Sequence, residues 1–388
     1  MLGFNCSPPK TMSVSNPHIK SFIPPQRTLM GPGPSDVPQR ILDAMQRPAI
    51  GHLDPAFQDM MEQIKTLLRY AFQTENPLTF PVSAPGSAGM EMCFVNLIEP
   101  GDKVIVCING VFGGRMLENV KRTGGVPVVV EDEWGKPVTV AKVEQAFKDN
   151  PDAKVLAFVH AETSTGAQSD AKSLAALAQK HGALTIMDCV TSLGGTPVMI
   201  DEWDIDAAYS GSQKCLSCTP GLSPVTFSER AIEKVQARKT PAQSWFLDLK
   251  LVLGYWQSAG KRTYHHTAPI NPLYGLHEAL VILSEEGLEN AWARHRAMHE
   301  NLKAGLNGMG LDFVVEESAR LPQLNSMWIP DGVDDAAARS KLLTEFNLEI
   351  GAGLGALAGK VWRIGLMGYS AREQNVDYCL KALKAVLA

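Results

Sequence analysis

The chain has 388 residues, with 36 lysines and arginines against 41 aspartates and glutamates, a formal net charge of -5 and a pI near 6.0. That balance argues against nucleic acid as the main partner, which would leave a basic footprint. With 45% hydrophobic and 20% charged residues, and no apolar run near the roughly 18 to 20 residues of a membrane span, the composition suits a globular, two-domain protein acting on small molecules.

Residues 1–26 read as an extended arm, because Pro8-Pro9 interrupts them and they lack both a basic region followed by an apolar core and an arginine-rich amphipathic pattern. Further on, Pro85-Gly86-Ser87-Ala88-Gly89 places small residues before a helical stretch with Met90, Phe94, Leu97 and Ile98 on one face. Strands are then expected at Lys103–Ile108, Val126–Val130, Val155–His160, Leu184–Asp188, Asp206–Ser210 and Pro224–Phe227, with helices at Val140–Lys148 and Ser169–His181 between them. Such alternation predicts an α/β domain whose sheet is mostly parallel and covered on both faces. After Thr267 the rhythm changes. Leu273 to Leu306 reads as helical, followed by short strands at Asp312–Val315, Ser326–Ile329 and Val361–Ile364 and a closing helix Ala371–Leu387, a smaller α+β domain. The division is placed at 27–285 for the large domain and 286–388 for the small one.

Two residues of the large domain carry the chemistry. Asp188 ends one predicted strand, and Lys214 follows the next in Tyr209-Ser210-Gly211-Ser212-Gln213-Lys214. Ligands of open α/β sheets sit beyond the carboxyl ends of the strands, which is where both side chains fall. An amine able to form a Schiff base and an anion able to keep a pyridine nitrogen protonated are the two groups that pyridoxal phosphate (PLP) chemistry requires. The small residues around Gly86 would open a helix whose free amides could hold a phosphate, although alone such residues more often make a plain turn. Phe112 follows a strand between glycines, where a ring could stack on a pyridine or simply join the core. The hydroxyls of Glu162-Thr163-Ser164-Thr165-Gly166 could bond a ring oxygen or belong to an ordinary polar loop.

In chain order, Met30-Gly31-Pro32-Gly33-Pro34-Ser35, Phe72-Gln73-Thr74-Glu75-Asn76, Glu162-Thr163-Ser164-Thr165-Gly166, Asp188 with Ser192-Leu193-Gly194-Gly195, Ser210-Gly211-Ser212-Gln213-Lys214, Tyr264-His265-His266-Thr267 and Arg363-Ile364-Gly365-Leu366-Met367-Gly368 resemble the alanine-glyoxylate and serine-pyruvate aminotransferases. These are class V, fold-type I PLP enzymes, and the resemblance runs from about residue 27 to the end. It implies a three-layer α/β/α large domain, a Schiff base and proton shuttle at Lys214, and a pyridinium partner in Asp188. Gly86, Ser87 and Gln213 would bind the phosphate, Thr163 the ring hydroxyl, and Phe112 the ring face. Tyr264 and Thr267 match residues that reach the phosphate of the neighbouring subunit, so the resemblance implies a homodimer with shared sites. Arg363 matches the arginine that takes the substrate carboxylate, and His52 would line the neighbour's substrate pocket. Two departures stand out: vertebrate members have tryptophan where this chain has Phe112, and serine-glycine-histidine where it has Pro85-Gly86-Ser87.

The resemblance leaves the donor open among alanine, serine and 3-hydroxykynurenine, and a PLP lyase such as a cysteine desulfurase is the alternative of a different class. Seven cysteines, Cys6, Cys93, Cys107, Cys189, Cys215, Cys218 and Cys379, lie scattered in apolar segments, the usage of a reduced, cytoplasmic protein. Cys215 and Cys218 have no second pair to complete a zinc set, and His295 and His299 lack the glutamate of a metalloprotease motif and read as solvated or capping residues. Gly351-Ala352-Gly353-Leu354-Gly355 reads as a flexible loop near the substrate mouth.

Overall fold

The computed structural model describes residues 17–256 and 262–388; most of the expected arm, including Cys6 and Pro8-Pro9, lies outside them. Seven strands form the large sheet: β1 (Leu78–Val82), β2 (Lys103–Ile108), β3 (Val126–Glu131), β4 (Val155–Val159), β5 (Leu184–Asp188), β6 (Ala207–Tyr209) and β7 (Ser223–Phe227). Their order is β1-β7-β6-β5-β4-β2-β3, and β7 alone runs against its neighbours. Side chains alternate faces along a strand, so the unbroken burial of β1, β4, β5 and β7 means that both faces of the sheet are covered. β3 closes one edge and leaves Val126 and Val129 exposed.

The covering helices follow the physics of their sequences. In α1 (Pro55–Phe72) Asp54 accepts the Ala56 amide at 2.9 Å, proline occupies the first turn, and Phe57, Met61, Ile64, Leu68 and Phe72 bury one stripe. Each such fully buried large side chain stabilises the fold by roughly 1.5–3 kcal/mol relative to its exposed state. α2 (Gly86–Leu97), α3 (Val111–Arg122), α4 (Val140–Asp149) and α5 (Ala171–Lys180) complete the alternation.

The predicted helical stretch after Thr267 divides at Gly287 into α6 (Ile270–Glu286) and α7 (Leu288–Gly308), because Gly287 takes a φ of +83° that ends the first helix. Beyond it, β8 (Leu324–Trp328), β9 (Gly351–Ala352) and β10 (Val361–Gly365) form a small antiparallel sheet in the order β8-β10-β9, backed by α8 (Glu373–Leu387). A second apolar core gathers here from Leu302, Leu342, Trp362, Ile364, Val376 and Leu383. Met30 belongs to it: Thr28 and Leu29 pair in parallel with Leu348 and Glu349, so the chain passes through the small core before building the large sheet.

Two elements depart from expectation. Asp312–Val315 is not a strand; it meets the outer edge of β8 through an isolated bridge from Phe313 to Met327, flanked by the Val314 amide on the Ser326 carbonyl and the Trp328 amide on the Asp312 carbonyl. Gly351 and Ala352 are paired to Arg363 and Trp362, so the expected flexible loop begins as a strand.

Candidate active site

The lysine turn sits between β6 and β7. It is clamped from a distant part of the chain, where Ser35 donates its amide to the Gln213 carbonyl at 3.0 Å and its hydroxyl to the Lys214 carbonyl at 2.8 Å. The same loop meets the side chain itself, for Lys214 Nζ donates to the Pro32 carbonyl. Gly33 has a φ of +103°, a backbone conformation that favours glycine, and it lies against the end of the Lys214 side chain. Lys214 is 8% exposed. Burial first, and then the positive charge of Arg363, bring its amine down to about 8.

Asp188 and Tyr209 are register partners on the parallel strands β5 and β6, and their side chains therefore share a face. The tyrosine hydroxyl donates to Oδ2 at 2.8 Å, and the Val190 amide donates to Oδ1 at 2.9 Å. Burial nevertheless dominates and pushes the Asp188 carboxyl up to about 7. Lys214 and Asp188 line one cavity of about 200 Å³ together with Gly86, Ser87, Phe112, Val190 and Gln213. Pro85 offers α2 no side-chain cap, so the first amides of that helix, at Gly86 and Ser87, are available at the cavity wall. The Gln213 Oε1 atom is buried without a partner.

Arg363 approaches from the small sheet. Its Nε donates to the Ala352 carbonyl at 2.7 Å and its Nη1 to the Thr163 carbonyl at 3.0 Å, and burial lowers the guanidinium to about 10. The strand pairing of Gly351 and Ala352 thus supplies a fixed acceptor for the arginine. Thr163 Oγ1 bonds Thr191 Oγ1 of the turn that follows β5. A buried arginine and a buried lysine, each meeting backbone carbonyls, leave a concentration of positive charge suited to an anionic ligand.

The sequence profile described as aminotransferase class-V matches residues 28–378. The chain belongs to this family. An alanine-glyoxylate aminotransferase from Nostoc sp. has a crystal structure that superposes with a TM-score of 0.94 at 46% identity, covering 97% of this chain and all of the other. The (S)-ureidoglycine-glyoxylate transaminase of Bacillus subtilis is 38% identical, across 95% of this chain and 92% of the relative. The alanine-glyoxylate aminotransferase of Callithrix jacchus is 38% identical, across 98% of this chain and 91% of its own. The mostly parallel sheet with its small C-terminal domain is the fold-type I architecture of these enzymes, and the protein is a transaminase.

Within this aminotransferase Thr163 and Arg363 flank the lysine cavity without lining it, and His52, Tyr264 and Thr267 stand apart from it. His52 Nδ1 lies 2.9 Å from the Tyr255 hydroxyl, and its ring is tilted against Tyr264. Tyr264 is 65% exposed and meets Thr267 at 3.4 Å. Several contributors escaped sequence reasoning. Tyr209 and Val190 stood beside quoted motifs but announced no chemistry; the strand register would have placed Tyr209 next to Asp188. Gly33 was marked only by the Gly-Pro-Gly-Pro run.

The histidines at 295 and 299 are corrected: both are buried, not solvated. His295 Nε2 accepts the Gly368 amide at 2.9 Å while Nδ1 meets the Ala291 carbonyl at 2.6 Å, tying α7 to the turn after β10. Burial lowers this imidazole to about 4, so it stays neutral. The six cysteines among the described residues are free and buried, and no cluster of metal-ligating side chains occurs among those residues.

Proposed function

We propose that this aminotransferase uses PLP to move the amino group of L-alanine or L-serine to glyoxylate or pyruvate in two half-reactions of a ping-pong cycle. The observation that carries the reading is the single cavity that gathers Lys214, Asp188, Phe112, Gln213 and the start of α2. The residues fit the cofactor: the cavity would accept one substituted ring with its phosphate, and Gln213 lines it with an amide whose NH2 group can donate.

Bound PLP supplies an electron-poor ring that delocalises the electron pair left at the substrate Cα. The protein's share follows from its own groups. Asp188 would hold the proton on the ring nitrogen, since a carboxyl raised by burial is completed by a cationic neighbour. The Gly86 and Ser87 amides and Gln213 would take the phosphate at the positive end of α2. Thr163 would bond the ring oxygen, and Phe112 would cover a ring face. Lys214, with an amine brought to about 8, would hold the cofactor and would be neutral often enough near pH 7 to take up and return the proton at Cα. Arg363 spends Nε and Nη1 on carbonyls, which leaves Nη2 to meet the substrate carboxylate from a fixed direction.

Two of the three relatives are named for alanine as donor and the third for (S)-ureidoglycine, and all three for glyoxylate, which favours glyoxylate as acceptor. The desulfurase alternative loses ground because burial pushes the Cys215 thiol up to about 12 and Cys218 to about 11, leaving neither as a ready nucleophile. The exposure of Tyr264 and its separation from the lysine cavity support a homodimer in which Tyr264, Thr267 and His52 complete the partner's site. The deciding experiment is the visible spectrum of purified protein with PLP as L-alanine and then glyoxylate are added. Loss of the cofactor band with alanine and its return with glyoxylate is the expected result; a band that alanine and serine both leave unchanged would reject these donors.

A further inference from the structure

Next to the cavity lies a carboxylate that none of these roles uses. Glu162 is fully buried. It accepts the Ser164 amide at 3.1 Å, the Ser164 hydroxyl at 2.5 Å, the Phe112 amide at 3.3 Å and the amide of Gly113. Ser164 Oγ in turn accepts the Val111 amide at 3.0 Å. Val111, Phe112 and Gly113 are the first three residues of α3, whose amides have no partner within the helix. The residue that would ordinarily cap them is Gly110, which has no side chain to do so.

Gly110 has an extended backbone with a φ of 175°, which any residue can adopt. A Cβ at this position would lie 2.4 Å from the Glu162 carboxyl carbon. The space that a capping side chain would fill is thus given to a carboxylate from the turn after β4. Thr163, the next residue in the chain, presents its carbonyl to Arg363 and its hydroxyl to Thr191.

We infer that Glu162 is a positioning residue for the cofactor site: it caps α3 from outside the helix and so fixes Phe112 at the cavity wall, while the same turn aims Arg363. The inference rests on the PLP reading above. It differs from a general packing role, because a carboxylate that only filled space could be replaced by its isosteric amide at little cost. Glutamine keeps one acceptor oxygen but turns an NH2 group toward amides that also donate, so the first turn of α3 would lose its anchor and Phe112 its fixed height.

The test titrates PLP into cofactor-free wild type, E162Q, G110A and a core control, V143A, and follows absorbance and visible circular dichroism. Val143 is buried in α4 and does not line the cavity, so V143A reports loss of stability alone. E162Q and G110A are expected to bind PLP about tenfold more weakly or worse and to lose about half of the circular dichroism per bound cofactor, as a loosened aromatic neighbour would allow; V143A should match wild type in both. G110A keeps the carboxylate and only displaces it, so it decides the matter if E162Q does not fold. Wild-type affinity and dichroism in G110A, or in a folded E162Q, would overturn the positioning role. A wild-type protein that takes up no PLP would instead overturn the cofactor reading.

Discussion

The two sides of the site are built differently. On one side Asp188 and Lys214 are 2% and 8% exposed, and their partners come from the same chain: Tyr209 and Val190 for the carboxylate, the Pro32 to Ser35 loop for the lysine. On the other side Tyr264 is 65% exposed and meets Thr267, while His52 meets Tyr255. Burial is what moves the two charges toward neutrality, so the chemical half of the site is tuned within one chain. The role of the exposed half as the partner's phosphate and substrate wall is the part of our proposal that a single chain cannot perform.

Removing the chemistry of the buried side should have the largest effect. Lys214→Ala is expected to lower kcat by at least about 10³, the scale of losing both nucleophile and proton carrier, while a folded protein that still binds PLP remains. Turnover near the wild-type rate would remove the mechanism proposed for Lys214. Arg363→Lys comes next. It keeps the charge but loses the planar fork, and with it the two carbonyl anchors of Ala352 and Thr163, so kcat/KM for both amino donor and oxo acid should fall roughly ten- to hundredfold. A loss confined to one of the two substrates would show that Arg363 serves a single half-reaction.

The buried side was also the more legible in the sequence. β2 and β5 were bounded correctly from apolar runs, and they put Asp188 where a ligand could reach it. β1 was not foreseen, since Pro81 interrupts its pattern, yet β1 pairs along its full length with β7; a proline is tolerated on an edge strand. α3 was missed because its first turn contains Gly113-Gly114 and it lacks a capping side chain, and its cap, Glu162, comes from a residue 50 positions later than Phe112. Local patterns show which residues can carry chemistry. They do not show which distant carboxylate, carbonyl or glycine holds those residues still, because such partners meet only when the sheet has closed.

The exposed side can be sharpened by complementation. Tyr264→Phe with Thr267→Ala should weaken PLP binding about tenfold, the loss of one or two hydrogen bonds to a charged group. Mixing that double variant with Lys214→Ala, then unfolding and refolding the two together, tests where the residues act. In a mixed dimer the subunit that keeps Lys214 would receive intact Tyr264 and Thr267 from its partner, so about one quarter of all sites should regain wild-type PLP affinity. No recovery above the double variant alone would place Tyr264 and Thr267 in the service of their own chain, and the shared-site proposal would fail.

The smallest expected effect is a pH dependence of stability in the cofactor-free protein. The Asp188 carboxyl lies near 7 in the folded chain against 3.8 for the free side chain. Between those values the folded state holds more protons than the unfolded one, so the stabilisation is complete below pH 3.8 and drains away as pH rises through about 7. Asp188→Asn removes this titration, so the Tm of the wild type should fall relative to the variant between pH 5 and pH 7.5. Adding PLP to the wild type should flatten that slope, because a cationic ring nitrogen beside Asp188 favours the ionised carboxylate and lowers its folded-state value. Parallel pH profiles for the cofactor-free wild type and Asp188→Asn would mean that Asp188 is already ionised without the cofactor, and that the Tyr209 hydroxyl and Val190 amide outweigh its burial.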